Sequence, residues 1–205
     1  MTEIRHIVFD LGNVLLRWNP ELPYLRLIPD PVARKRFLAD ICNGDWLIET
    51  DRGMDWPEAE TALIARHPEE AEMIRAFRKN WHEMAPGLIE GTTEILEDLL
   101  DSGHDVTALT NFAADTFLEV KPRFPILDRF RGVTVSAHTG LAKPDADIYR
   151  HHAEAFGLSP AHVLFFDDTM KNVVAAREAG WNAEQFTDAK RMRADLERYG
   201  ILVGV

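Results

Sequence analysis

Four places in this 205-residue chain put chemically capable residues beside short apolar runs or a helix start. Asp10 follows Ile7, Val8 and Phe9, Thr110 and Asn111 follow the run 106–109, and Asp167 and Asp168 follow the run 163–166, while Lys143 stands just before Pro144. The runs are rich in β-favouring residues, so each reads as a buried strand that ends in a polar group. In open parallel α/β sheets, ligands bind outside the carboxyl ends of the strands, and residues at these places could therefore share one crevice. Paired carboxylates offer the hard oxygen ligands that suit Mg²⁺. Each residue also has a local use. Asp10 could cap a turn, Thr110 could bond its own backbone, Lys143 could be solvated ahead of a helix-starting Pro, and Asp168 could cap the helix that begins at Thr169.

The elements that must carry these residues follow from periodicity. From Pro86-Gly87 onward, strands and helices alternate. A helix over 93–102 stops at Gly103, and a strand over 106–109 follows. Next come a helix from about Phe112, a strand over 132–136, a helix opened by Pro144 and closed by Gly157, and a strand over 163–166. A helix over 169–179 stops at Gly180, and a strand over 183–186 and a helix over 188–199 end the series. Such alternation predicts a parallel sheet with helices on both faces, and the strand over 4–9 joins it. Between them, residues 17–86 carry helical patterns and no convincing strand. Asp30-Pro31 and Asp55 open helices there, with Phe37, Leu38 and Ile41, then Ala59, Ala62, Leu63 and Ile64, then Met73, Ile74, Phe77 and Trp81 as apolar stripes. The expected fold class is α/β, a Rossmann-like sheet formed by residues 1–16 and 87–205 with an inserted helical unit at 17–86.

Composition excludes several classes. With 46% hydrophobic and 28% charged residues and no long apolar run, nothing predicts a membrane span. The start MTEIRHIVFD lacks the order of a signal peptide, and Cys42, the single cysteine, permits neither an intrachain disulfide nor a zinc site built on paired cysteines, so a cytoplasmic location is expected. Net charge is −11 without a basic run, which argues against nucleic acid as a partner. The same negative field repels phosphate anions, so a phosphate site needs local cations or a bound metal ion. The eight histidines lack metal-site spacing and read as structural or solvated.

Taken together, FDLGNV, LTN, GLAKPDADIY and FFDDTMKNVVAAREAG resemble the four motifs of the haloacid dehalogenase (HAD) superfamily, in order. The resemblance covers the α/β half, and residues 17–86 resemble the family's small helical cap. It implies a Mg²⁺-dependent phosphatase acting on a small phosphorylated metabolite, as a monomer or homodimer. Asp10 matches the nucleophile. Being ionised at neutral pH, it could attack phosphorus without a separate base and form an aspartyl-phosphate. Thr110 and Lys143 match the groups that hold the phosphate, with Leu11, Gly12 and Asn111 at the same loops. By resemblance the metal ligands are Asp10, the Gly12 carbonyl and Asp168, with Asp167 binding directly or one layer out. Two rivals are a 2-haloacid dehalogenase, in which Asp10 attacks carbon without a metal, and a non-catalytic module that binds phosphate or a partner. The dehalogenase branch usually carries Tyr at the position of Gly12 and lacks the acid pair.

One departure stands out. Most phosphatases of the family carry a second Asp two residues after the nucleophile, as acid and base, whereas this chain has Gly12. General acid–base help is worth about 10²–10⁴ in rate. Three replacements are open: a leaving group acidic enough to depart unaided, such as an anomeric sugar hydroxyl; a cap residue such as Glu49 or Asp51; or a water held by Asn13. Members of the FDLGNV type look like sugar-phosphate phosphatases. Trp46, Glu49 and Arg52 are candidate substrate contacts in the stretch 44–53.

Overall fold

A computed structural model describes residues 3–202. The chain opens with strand β1 (His6–Phe9) and then runs through helices α1 (Glu21–Leu27), α2 (Pro31–Arg36), α3 (Gly44–Asp51), α4 (Trp56–Arg66), α5 (Ala71–Lys79) and α6 (Trp81–Met84). The α/β series follows: α7 (Thr92–Asp101), β2 (Asp105–Thr110), α8 (Ala114–Val120), β3 (Val133–Val135), α9 (Ser136–Thr139), α10 (Ala146–Phe156), β4 (Val163–Asp167), α11 (Met170–Glu178), β5 (Asn182–Gln185) and α12 (Ala189–Arg198).

The five strands pair in parallel in the order β3-β2-β1-β4-β5. β1 is central, with Phe9 opposite Ala108 of β2 on one side and Phe166 of β4 on the other. β1 and β4 are buried throughout, as a sheet covered on both faces requires. Alternation along the strands assigns the faces. Ile7, Phe9, Leu164 and Phe166 join one apolar cluster, while Val8 and Phe165 pack with Ile148, Tyr149 and Val173 of α10 and α11 in the other. The chain proceeds outward from β1 through β2 to β3 and then crosses back to β4. The direction thus reverses between β1 and β4, and Asp10 and Asp167 leave the sheet at that point.

Residues 21–84 pack their apolar stripes against each other and continue into the first cluster, where Tyr24, Trp46, Leu63 and Phe77 join Leu15 and Ile95. Asp30 and Asp55 cap their helices by accepting from Ala33 N and Glu58 N. Ala62, expected on a buried stripe, is exposed. The single helix expected through Met73 and Trp81 is broken at Asn80, whose side chain donates to the Ala76 carbonyl at 2.7 Å and competes with the helix ladder. Phe37–Ile41 winds as a π-helix. The helix expected from Phe112 begins at Ala114 because the Phe112 amide donates to Ser136 Oγ instead.

Beneath the sheet lies a buried polar chain. His6 Nε2 and His152 Nε2 both lie 2.8 Å from Thr107 Oγ1, and His152 Nδ1 lies 2.8 Å from Thr134 Oγ1. Burial drives His152 down to about 3, so it is held neutral as a structural crosslink between strands and α10.

Candidate active site

The strand ends bring the chemistry together. The Asp10 amide donates to Phe166 O at 2.9 Å, so the turn after β1 is pinned to β4, and the Leu11 amide donates to Asp10 Oδ1 at 2.7 Å. Residues 14–16 fold back on the Leu11 carbonyl, and Asn13 adopts a left-handed φ of 53° that closes this loop. Gly12 sits in the loop with open space where a Cβ would be, and its φ lies outside the left-handed region.

Lys143 reaches into the crevice almost wholly buried. Its Nζ lies 2.8 Å from Asp10 Oδ1 and 2.6 Å from Asp167 Oδ2, and donates to Leu109 O at 3.1 Å. Its backbone is fixed by Asn111, whose side chain accepts from Lys143 N at 2.8 Å and donates to Lys143 O at 2.9 Å. Asn111 is therefore spent on positioning the lysine. Thr110, the last residue of β2, is buried beside this loop.

The two neighbouring acids differ in availability. Asp167 is buried and committed: Oδ1 accepts from Thr169 N and Asn172 Nδ2, and Oδ2 accepts from Lys143 Nζ and Asn172 Nδ2. Asp168 is half-buried, with Thr169 Oγ1 donating to it at 3.2 Å and its carbonyl held by Gln185 Nε2. The loss of solvent raises Asp168, with the charge of Asp167 adding to it. Carboxylate oxygens of Asp10, Asp167 and Asp168 lie within 4.8 Å of one another, a hard-oxygen donor set that suits Mg²⁺.

Charge balance inside the crevice is uneven. Burial pushes Asp10 up to about 7, with Asp167 adding to the rise and Lys143 opposing it. Lys143 loses solvation by burial as well, yet the carboxylates of Asp10 and Asp167 outweigh that and hold its pKa above the usual lysine value. Three acids face one ammonium, so the crevice favours a further cation. Both protein contacts of the Asp10 carboxylate fall on Oδ1. Among the described residues, Oδ2 is left for attack or for a cation.

A cavity of ≈ 120 Å³ opens from Gly12 toward the helical insertion. Leu16, Trp18, Leu47, Trp56, Trp81 and Phe112 line its body, with Trp81 in ring contact with both Trp18 and Phe112. The polar groups of the wall are largely used up. Thr50 Oγ1 donates to Leu47 O, Thr116 Oγ1 to Ala113 O, and Arg17 Nε to Leu88 O. Asp51, at the end of α3, faces this cavity.

The stretch 44–53 divides by role. Trp46 is buried in the insertion, donating to Ala59 O and stacked edge-on against Trp56 and Phe77, and Glu49 is exposed. Neither lines the cavity. Arg52 Nη2 pairs with Asp145 Oδ2 at 2.6 Å, which ties the insertion to the loop that carries Lys143. Gly53, at φ +103°, lets the chain approach the Ala137 carbonyl, where an added Cβ would meet the oxygen at 3.1 Å. Across the same junction, Trp56 Nε1 and Arg78 reach Asp115 of α8.

Sequence reasoning missed Asn172 and the aromatic lining. Asn172 stands five residues after Asp167, within the first turn of α11, and that spacing is the signal that could have found it. The lining comes from four separate segments and left no local pattern.

The family model described as haloacid dehalogenase-like hydrolase matches residues 4–180. The chain belongs to this family. This HAD-like hydrolase is 28% identical over 195 residues to the sesquiterpene phosphatase astK of Aspergillus oryzae, covering 92% of each chain. It is 23% identical over 187 residues to a phosphoglycolate phosphatase of Haemophilus influenzae, covering 87% of this chain and 84% of the relative. Among solved structures, a HAD family enzyme from Bacteroides thetaiotaomicron, in complex with magnesium and inorganic phosphate, superposes with a TM-score of 0.69 at 21% identity. That match covers 90% of this HAD-like hydrolase and 95% of the other chain. No helix among the described residues of the HAD-like hydrolase is long and apolar enough to cross a membrane.

Proposed function

We propose that this hydrolase is a Mg²⁺-dependent phosphatase of the cytoplasm that removes phosphate from a small monoester through an aspartyl-phosphate on Asp10. The observation that carries the reading is the buried triad in which Lys143 Nζ bridges Asp10 and Asp167 at 2.8 and 2.6 Å while Asp10 Oδ2 stays unpaired among the described residues. Asp10 attacks phosphorus, and Lys143 and Thr110 hold the phosphoryl oxygens as negative charge shifts among them. Leu11 N fixes the Asp10 carboxylate, and Asn111 fixes the lysine backbone. Asp10, the Gly12 carbonyl and Asp168 would hold the cation. Asp167, with both oxygens already occupied, acts through Lys143 instead. Bound there, Mg²⁺ would offset the excess acid charge and polarise the phosphoryl oxygens. Residues 17–86 act as a cap over the crevice.

The cap lining favours an apolar leaving group over the sugar phosphate that the motif type suggests. Hydroxyls of a sugar would lose water against a wall whose body is apolar and whose two threonines are already bonded to backbone carbonyls, which leaves Asp51 and the end of Arg17 as its polar groups. An apolar cavity of about 150 Å³ binds benzene; the ≈ 120 Å³ here is somewhat smaller, on the scale of a compact ring or a short branched chain. The sesquiterpene phosphatase relative, named for an apolar substrate, supports the same direction. The test is phosphate release from a panel of aryl, prenyl and sugar phosphates with Mg²⁺ and with EDTA, using wild type and Asp10→Asn. Turnover that needs both Mg²⁺ and Asp10, with apolar esters preferred, is expected. Turnover by Asp10→Asn, or halide release from a 2-haloacid in EDTA, would overturn it.

A further inference from the structure

Breaking a phosphate ester places negative charge on the leaving oxygen, and an alkyl or simple aryl alcohol needs a proton there. The loop after Asp10 supplies none. At Gly12 there is room for a side chain, since an added Cβ would meet nothing within 4 Å, but no side chain is present. Asn13 is engaged, its Oδ1 accepting from Trp18 N at 3.0 Å and its side chain bonding Asp168. Glu49 points to solvent. Asp51 is different. It is the one carboxylate among the residues lining the cavity that Gly12 also lines, it comes from α3 of the helical insertion, and it has no hydrogen-bond or ion-pair partner among the described residues.

Resting on the phosphatase reading above, we propose that Asp51 is the general acid and base of this enzyme, supplied by the cap in place of a side chain at position 12. In the first half-reaction Asp10 Oδ2 bonds to phosphorus while the ester P–O bond breaks. The electron pair goes to the leaving oxygen, and Asp51 gives that oxygen its proton. The alcohol leaves and Asp51 becomes a carboxylate. In the second half Asp51 takes a proton from water as the water oxygen bonds to phosphorus, the bond to Asp10 breaks, and phosphate departs with both acids restored. Three features support the assignment. Enclosure by the cavity walls pushes Asp51 up to about 7, against the pull of the Lys143 charge, so it can both give and take a proton at neutral pH. Its neighbours Arg52 and Gly53 are docked on Asp145 and Ala137 of the core, which fixes the end of α3 against the core. Finally, it lines the same cavity as Gly12 and the aromatic side chains, so an apolar leaving group held there shares one enclosure with its carboxyl.

The test is the dependence of kcat/KM on the leaving group, because kcat/KM reports the step in which the ester bond breaks. Wild type, Asp51→Asn, Gly12→Asp and the double variant would be assayed with 2,4-dinitrophenyl, p-nitrophenyl, phenyl and benzyl phosphates in Mg²⁺. For Asp51→Asn the expected loss is about 10²–10⁴ with phenyl and benzyl phosphate, and nearly none with the dinitrophenyl ester, which departs unaided. Gly12→Asp in the Asp51→Asn background should restore part of the loss by returning an acid to the open position. An equal loss across the series, or no loss at all, overturns the assignment. If wild type hydrolyses none of the esters while folded, the phosphatase reading itself fails, and the inference with it.

Discussion

Replacing Lys143 with Met keeps the length of the side chain and removes its charge, and the structure sets what that should cost. Lys143 is 2% exposed, Asp10 7% and Asp167 0%, so two carboxylates would be left buried without their common partner. Removing one member of a buried ion pair costs roughly 3–5 kcal/mol. For a chain of this length each kcal/mol moves the midpoint by about 2–4 °C, which gives a loss of about 6–20 °C. The pH dependence has a definite sign. Burial already raises Asp10 to about 7 with Lys143 pulling it down, so without the lysine it must rise further. A carboxyl whose folded pKa lies above its unfolded value stabilises the protein fully below about 4, and that stability is lost as pH rises through the folded value. The deficit of Lys143→Met relative to wild type should therefore be large near pH 8 and shrink toward pH 5 as Asp10 takes a proton. Thermal unfolding followed by circular dichroism at both pH values, in EDTA, reads this directly. A deficit below about 1 kcal/mol, of the size of a surface pair, or one that is the same at both pH values, would refute the view that Lys143 balances buried charge.

Two further outcomes follow from other parts of the molecule. Arg52→Ala breaks an exposed pair worth about 0–1 kcal/mol, so the melting temperature should barely move, yet kcat/KM for phenyl phosphate should fall by as much as about 10²-fold because the segment bearing Asp51 loses its tie to Asp145; unchanged turnover would count against that tie. His152 is held down at about 3 by burial, a folded pKa below the unfolded one, so its contribution to stability is present above about 6.5 and lost as pH falls toward 3. Between pH 7 and 5 this amounts to about 2 kcal/mol, readable from urea midpoints, and His152→Gln should flatten that part of the curve.

The α/β half was legible because its signals are local. Apolar runs 106–109 and 163–166 could only be buried strands, and Gly103, Gly157 and Gly180 mark helix ends with the left-handed geometry that few other residues adopt. The acids at the strand ends were legible for the same reason, since a parallel sheet dictates where its ligands bind. What stayed hidden depends on contacts far apart in sequence. That Asn111 would be consumed by the Lys143 backbone and that Arg52 would pair with Asp145 are decided by packing 32 and 93 residues apart, whereas Asn172, five residues after Asp167, left a local spacing that goes unnoticed without the fold. Trp46 shows the limit from the other side. A Trp near a substrate loop looks like a contact by type, but its ring completes the cluster with Trp56 and Phe77, and only the fold distinguishes the two uses.

Moving the acid from the nucleophile loop to the cap changes when it is available. A side chain at position 12 would stand beside the phosphate whether or not a substrate is covered. Asp51 is held at the cavity by the docking of α3, which is carried by Arg52 on Asp145 and by the close approach of Gly53 to Ala137. Both anchors belong to core segments next to the β3 end and the Lys143 loop, so the group that completes the leaving alcohol and the group that holds the phosphate are tied through one short connection. Proton delivery through Asp51 therefore depends on that docking. The aromatic lining then has a physical use beyond fit: an apolar leaving group that expels water from the cavity is also what keeps Asp51 protonated enough to serve it. Loss of Arg52 should consequently reproduce the leaving-group signature of Asp51→Asn in weaker form, with poor leaving groups losing more than good ones.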